Sequence, residues 1–201
     1  MKRHEIINYI IEKKNYLSYL EIGYGNGDCF HNVNAENKTG IDKGIGTPKG
    51  DPYVIRKDSR LFFSDLKKSP TYYDIIFIDG SHLAEDVEED ISDSLSSLNV
   101  GGTIVMHDCN PPSEPWQLRD QSPLVGGWCG DTWKAFVKLK ATRNDLWMGV
   151  VDSDYGCGII EKGKQELVKV PNELNYSLLK TERKKLLNLM SIEEFKQKYN
   201  P

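Results

Sequence analysis

The chain has 201 residues, 38% of them hydrophobic and 28% charged, with a formal net charge of −4. That length fits one domain, 1–201, with a sizeable core, and the mildly acidic balance gives no general attraction to nucleic acid or to an anionic membrane. Apolar runs stop far short of the roughly 20 residues that a spanning helix needs, and the opening MKRHEIINYIIEKK returns to charge too soon for a signal peptide, so the expected compartment is the cytoplasm. Cys29, Cys109, Cys129 and Cys157 lack C-x-x-C spacing, which suggests neither a zinc knuckle nor a disulfide framework.

In chain order, HEIINYIIEKK places Ile6, Ile7, Ile10 and Ile11 at helical spacing. SYLEIG reads as a strand running into GYGNG, where Gly23, Gly25 and Gly27 alternate. A short helix fits DCFHNVNAEN, a second strand KTGID, and the Gly/Pro cluster KGIGTPKGDP a loop. YVIRKDS offers a third strand and RLFFSDLKK a helix through Leu61, Phe62 and Leu66. In YYDIIFIDGSH the residues Ile75 to Ile78 are apolar without alternation, as in a parallel strand buried on both faces. LAEDVEEDISDSLSSL is an amphipathic helix, and VGGTIVMHDC a turn followed by another buried strand.

From Asn110 the periodicity stops: residues 110–131 hold four prolines and two tryptophans, a length of loop that is usually functional, here a lid over substrate. TWKAFVKLKAT then reads as a helix, LWMGVVD and GCGIIEKG as a β-hairpin about SDY, and 172–201 as a helical extension serving as an outer covering or a contact between copies in a homo-oligomer. The alternation of strand and helix implies an α/β fold, a doubly wound, mostly parallel sheet with an antiparallel edge hairpin. Ligands of such sheets bind outside the carboxyl ends of the strands.

Glycines at 23, 25 and 27 permit a tight turn, close approach of a ligand to the backbone and amides aimed into the crevice. The spacing departs from the dinucleotide fingerprint, because Asp28 stands where its last glycine falls, and an acid there repels a pyrophosphate. Glu21, just before the turn, suits a positively charged ligand.

LEIGYGNG resembles the first motif of the class I S-adenosylmethionine-dependent methyltransferases, with companions in order: GID ending at Asp42, KDS with Asp58 and Ser59, IDGSH, and L-x-x-GG-x-I. The resemblance spans Leu20 to Cys109 and implies a Rossmann-like fold. It implies that Glu21, Gly23, Tyr24, Gly25 and Gly27 wrap the methionine and ribose, that Asp42, beside Lys43, accepts the ribose hydroxyls, and that Asp58 and Ser59 meet the adenine. Asp79, Gly80 and His82 then lie where methyl group and acceptor meet.

The block from FIDGSH to VMHD is similar to a subgroup that includes macrolide-sugar and other small-molecule O-methyltransferases, whose metal-dependent members carry Asp after the fourth strand and Asp-Asp or Asp-Asn after the fifth. Here the set is Asp79, His107 and Asp108, a divalent-cation site better suited to manganese, iron or zinc than to magnesium. Alternatively His107 or His82, with an ordinary pKa of about 6.5, is a general base oriented by Asp108. Trp116, Trp128 and Trp133 are either stacking surfaces for an acceptor ring or core, and Arg119 is a candidate contact for a substrate phosphate.

The expected function is methyl transfer to oxygen, before nitrogen, of a small polar acceptor, with a saccharide or sugar nucleotide preferred by resemblance. The alternatives are an NAD-dependent oxidoreductase and a noncatalytic binding module of the same fold. No nucleic-acid or membrane partner is expected: the strand end that would face a flipped base carries IDGSH, and NPP follows the wrong strand.

Overall fold

The computed structural model describes residues 1–44, 47–121 and 126–200. Helix α1 (Arg3–Lys14) buries Ile6, Ile7, Ile10 and Ile11 and ends at Asn15, whose left-handed backbone (φ 54°) returns its N–H to the Ile11 carbonyl. Strands β1 (Ser18–Ile22), β2 (Asn37–Asp42), β3 (Val54–Arg56), β4 (Tyr73–Ile78) and β5 (Leu98–Met106) follow, with α2 (Asp28–Asn32), α3 (Ser59–Leu66) and α4 (Ala84–Ser96) between them. After a 3-10 turn at Glu114–Gln117 come α5 (Thr132–Thr142), β6 (Leu146–Val151), β7 (Cys157–Lys162), α6 (Tyr176–Leu187), β8 (Leu189–Met190) and α7 (Ile192–Lys198).

The eight strands form one sheet in the order β3-β2-β1-β4-β5-β7-β6-β8. β1 to β5 pair in parallel, and β7 runs antiparallel to both β5 and β6. The glycines read as a turn before β5 lie within it, Gly101 adopting φ 82° beside a register shift against β4.

The expected antiparallel hairpin at this end of the sheet is β6–β7, and one short strand extends the sheet beyond it to the outermost place. That place belongs to β8, two residues inside the tail read as wholly helical, paired in parallel with Val150 and Val151. Asn188 ends α6 in the left-handed conformation (φ 46°), and Ser191 restarts the helix with a reciprocal capping box to Glu194. The break lets the tail change sides. Leu179, Leu186 and Leu187 of α6 join the core under α3, α4 and α5, whereas Met190 and Phe195 join the core under α1.

The tail is therefore part of the core rather than a covering, and its large apolar side chains are spent within the chain. Truncating the fully buried Phe195 to Ala is expected to cost about 3–5 kcal/mol. Urea denaturation checks this; a change below 1 kcal/mol, roughly the range of a surface substitution, would restore the outer-covering reading.

Candidate active site

Backbone pairing continues past the strand ends and fixes the platform of the site. Gly23 N donates to Ile41 O at 2.9 Å, Asp79 N to Ile22 O at 2.8 Å and His107 N to Ile78 O at 3.0 Å. The three glycines of the first turn do different work. A Cβ at Gly23 would lie 2.1 Å from the Asp79 carbonyl oxygen, so glycine lets the ends of β1 and β4 close together. A Cβ at Gly25 would meet nothing within 4 Å, because this residue (φ 53°) faces open space. At Gly27 the obstacle is the Tyr24 hydroxyl, at 2.8 Å. The Tyr24 ring is buried against Phe30 with its hydroxyl bonded to Asp51 and His31, so this side chain props the loop from beneath.

Two cavities meet at this loop. The larger, about 500 Å³, lies toward β2 and β3 and is lined by Asp42, Lys43, Asp58, Ser59, Gly80 and Ser81. Asp42 is fixed by backbone amides, accepting from Gly25 N at 3.0 Å and Gly44 N at 2.6 Å. Asp58 caps α3 by accepting from Arg60 N at 3.0 Å and lies 3.0 Å from Lys43 Nζ, a hydrogen bond that lowers its pKa. The smaller cavity, about 350 Å³, shares Gly23, Gly25, Asp79 and Trp128 with the first and extends to Arg3, Glu21, His82, His107, Asp108, Trp116 and Tyr155.

Carboxylates dominate the smaller cavity. Glu21 is 1% exposed; burial pushes its carboxyl up to about 8, against the opposing hydrogen bond from the Tyr19 hydroxyl. His107 Nδ1 lies 3.2 Å from Asp79 Oδ1 and 3.3 Å from Asp108 Oδ2, and its Nε2 lies 3.8 Å from Asp154 Oδ1. Burial opposes the imidazolium, but the three carboxylates outweigh it and raise the His107 pKa well above its ordinary value. His107 hydrogen bonding in turn holds the Asp154 carboxyl far below the usual range. Arg3 completes the cluster, 3.4 Å from Asp154 and 3.6 Å from Asp79.

His82 has a different setting. It stacks on Trp128, with ring centroids 4.8 Å apart, and its Nδ1 lies 3.1 Å from the Trp128 carbonyl oxygen. That contact makes Nδ1 the donor and turns Nε2 toward Asp79 Oδ1, at 3.7 Å. Donor atoms of Asp79, His82 and Asp108 lie within 4.8 Å of one another. The imidazole in this cluster is His82, whereas His107 is engaged as a hydrogen-bond donor to the two carboxylates. Its other ring nitrogen, Nε2, lies 3.3 Å from Arg3 Nη1, so both nitrogens of His107 face partners within the chain.

Within the 110–131 stretch, residues 122–125 lie outside the described residues. Trp116 lines the smaller cavity, stacked on Tyr155 at 4.9 Å, and Trp128 lines both cavities. Trp133 is core: fully buried, its Nε1 donates to Gln117 Oε1 at 3.1 Å, so it offers no surface to an acceptor. Arg119 is bound to Glu85 and Asp131, away from both cavities. Sequence reasoning missed Arg3, Asp154 and Tyr155. Asp154 and Tyr155 sit in the β6–β7 turn with left-handed backbones (φ 49° and 61°), held to the end of β5 by Asn110 N donating to Tyr155 O at 2.7 Å.

A family profile described as a methyltransferase domain matches residues 34–109, from before β2 to just beyond β5. Over that stretch the chain is similar to a methyltransferase domain, and its fold is that of the class I S-adenosylmethionine-dependent enzymes. No curated protein matches the sequence of this chain. Its fold is similar to that of an O-methyltransferase from Bacillus cereus solved with SAH, at 13% identity over 81% of this chain and 80% of that one, TM-score 0.57. The O-methyltransferase TomG from Streptomyces achromogenes, involved in tomaymycin synthesis and solved with SAM, is 13% identical over 81% and 80%, TM-score 0.54. MycE of the mycinamycin pathway, solved with Mg, SAH and mycinamycin VI, is 16% identical over 82% of this chain but 50% of its own, TM-score 0.50. Among the described residues, no helix of the chain is long and apolar enough to cross a membrane.

The open face at Gly25 and the two joined cavities fit S-adenosylmethionine. Gly25→Val is expected to fill that space and abolish calorimetrically detectable binding of S-adenosylhomocysteine while leaving the circular dichroism spectrum unchanged; retained binding would exclude this crevice. Glu21 is expected to make the affinity for S-adenosylmethionine depend on pH. A cation nearby favours the carboxylate, so binding expels the Glu21 proton below pH 8, and affinity rises by up to about tenfold per pH unit toward that value before levelling. Glu21→Gln should flatten the profile; an unaltered slope would assign it to another group.

Proposed function

We propose that this methyltransferase acts on a hydroxyl oxygen of a small polar acceptor, with saccharides and sugar nucleotides the first class to test. The observation that carries the reading is the junction of the two cavities at Gly23, Gly25 and Asp79. The nucleoside occupies the larger cavity, with Asp42 on the ribose and Asp58 and Ser59 on the adenine, and the acceptor enters the smaller one across that wall. Trp116 and Trp128 flank the entry and suit the apolar face of a sugar or aromatic ring. Residues 110–131 serve as its lid. The O-methyltransferase names of the structural neighbours support oxygen as the acceptor atom.

In the transfer, the sulfur–methyl bond breaks as the methyl–oxygen bond forms along the same line, a step that gains chiefly from alignment. Asp79, His82 and Asp108 fit a divalent cation through two carboxylates and one neutral imidazole, a donor set that favours manganese, iron or zinc over magnesium. Such a cation would polarise the acceptor hydroxyl. The lone pair on His82 Nε2 supports a second reading, in which His82 itself removes the hydroxyl proton.

A screen of sugar nucleotides and small phenols with S-adenosylmethionine, with and without EDTA, tests both. Turnover lost to chelator and restored by Mn2+ selects the cation; turnover indifferent to EDTA selects the His82 base. In either case His82→Ala is expected to lower kcat by about 10²–10⁴-fold with S-adenosylhomocysteine affinity nearly unchanged. An unimpaired His82→Ala enzyme would remove this side chain from the chemistry.

A further inference from the structure

The cofactor carries more than a sulfonium: its methionine end is a zwitterion, with an ammonium and a carboxylate on one carbon. The smaller cavity is hostile to that carboxylate. Its ionisable lining includes Glu21, Asp28, Asp79 and Asp108 with His82 and His107, whose Nδ1 atoms already face those acids, and among the described residues that line it Arg3 is the one lysine or arginine. A carboxylate placed among acids in a partly buried site is costly unless a cation meets it directly.

We propose that Arg3 binds the carboxylate of the cofactor's methionine moiety and that Glu21 faces the ammonium beside it; the inference rests on the methyltransferase assignment. Arg3 is held in place but not used up. Its backbone N–H donates to Asp154 Oδ2 at 2.8 Å, and its Nη1 lies 3.4 Å from the same oxygen and 3.3 Å from His107 Nε2. Nε stands 3.6 Å from Asp79, beyond a hydrogen bond, and among the described residues Nη2 has no partner. A guanidinium with long, single contacts and unspent donors is ready for the planar, two-point grip that a carboxylate offers.

The location agrees. Glu21 projects from β1 on the same side as Tyr19, whose side chain lies in the core under α1, and α1 carries Arg3 at its first turn. Both residues share the smaller cavity with Gly23 and Gly25. A ligand whose nucleoside lies near Asp42 and Asp58 reaches the Arg3–Glu21 pair by passing over the glycine loop. Arg3 and Glu21 thus offer opposite charges to the opposite charges of one amino-acid end.

Two ligands separate this role from a structural one: S-adenosylhomocysteine, which has the amino-acid tail, and 5′-methylthioadenosine, which lacks it. Calorimetry on wild type, Arg3→Gln and Arg3→Lys is expected to show Arg3→Gln weakening S-adenosylhomocysteine by about 10- to 100-fold, the scale of a lost charged hydrogen bond, with 5′-methylthioadenosine held within twofold. Arg3→Lys should recover part of the loss, since it keeps the charge without the fork. Equal loss of both ligands would make Arg3 a prop of the cavity and overturn the proposal. Undiminished S-adenosylhomocysteine binding would overturn it too, by giving the carboxylate to another group. Wild type that binds neither ligand would instead remove the cofactor assignment itself.

Discussion

Mutual repulsion among four carboxylates governs this site. Glu21, Asp79, Asp108 and Asp154 converge from the ends of β1, β4 and β5 and from the β6–β7 turn, where limited water screens them poorly. Each neighbouring group answers that crowding. The carboxylates raise the His107 pKa well above its ordinary value, Arg3 stands at the edge of the cluster, and Asp79 adds to the burial that pushes the Glu21 carboxyl up to about 8. A wall so rich in carboxylates suits a cationic cofactor better than a pyrophosphate-bearing one.

The packing that holds Arg3 in the cluster starts far from it. Phe195 of α7 lies against Tyr9 of α1, with ring centroids 5.3 Å apart, and α7 reaches that face because β8 carries the chain past the sheet edge. The C-terminal segment therefore braces the helix that brings Arg3 to the site. On the other side, β7 runs antiparallel to β5, so its connection to β6 returns Asp154 to the carboxyl ends of the parallel strands. Arg3 and Asp154 meet across 151 positions of sequence through two unrelated pieces of packing.

This separation explains what the sequence made legible. Strands β1 to β5 and the glycine turn could be read because their signals are local: consecutive apolar residues for a buried parallel strand, and glycines at alternate positions after one. Asp42, Asp58, Asp79 and Asp108 could be placed because each ends a strand that could itself be read. The β8 break also had local marks, Asn188 as a left-handed stop and Ser191 with Glu194 as a capping box, but leucine-rich helical periodicity on both sides masked two extended residues. Arg3 carried no comparable mark. An arginine in the first turn of an amphipathic helix is ordinarily solvated, and only the fold aims it at the cavity. Trp133 and Trp128 differ by five positions in one aromatic-rich stretch, yet one is core and the other cavity wall, a distinction made by tertiary packing alone.

The pair His107-Asp108 shows how backbone conformation produces a site from neighbours that a strand would divide. Successive side chains of an extended strand point to opposite faces, so a β5 that continued straight would send His107 and Asp108 apart. Asp108 instead adopts φ 58°, a left-handed conformation that aspartate tolerates better than most residues, and its carboxylate turns back to within 3.3 Å of the His107 ring. The imidazole then spans Asp79 and Asp108 through one nitrogen and fixes the spacing of the two oxygens that face His82. Where the resemblance leads one to expect a second acid, this chain has an imidazole that bridges the two acids, with a second imidazole, His82, on the opposite wall.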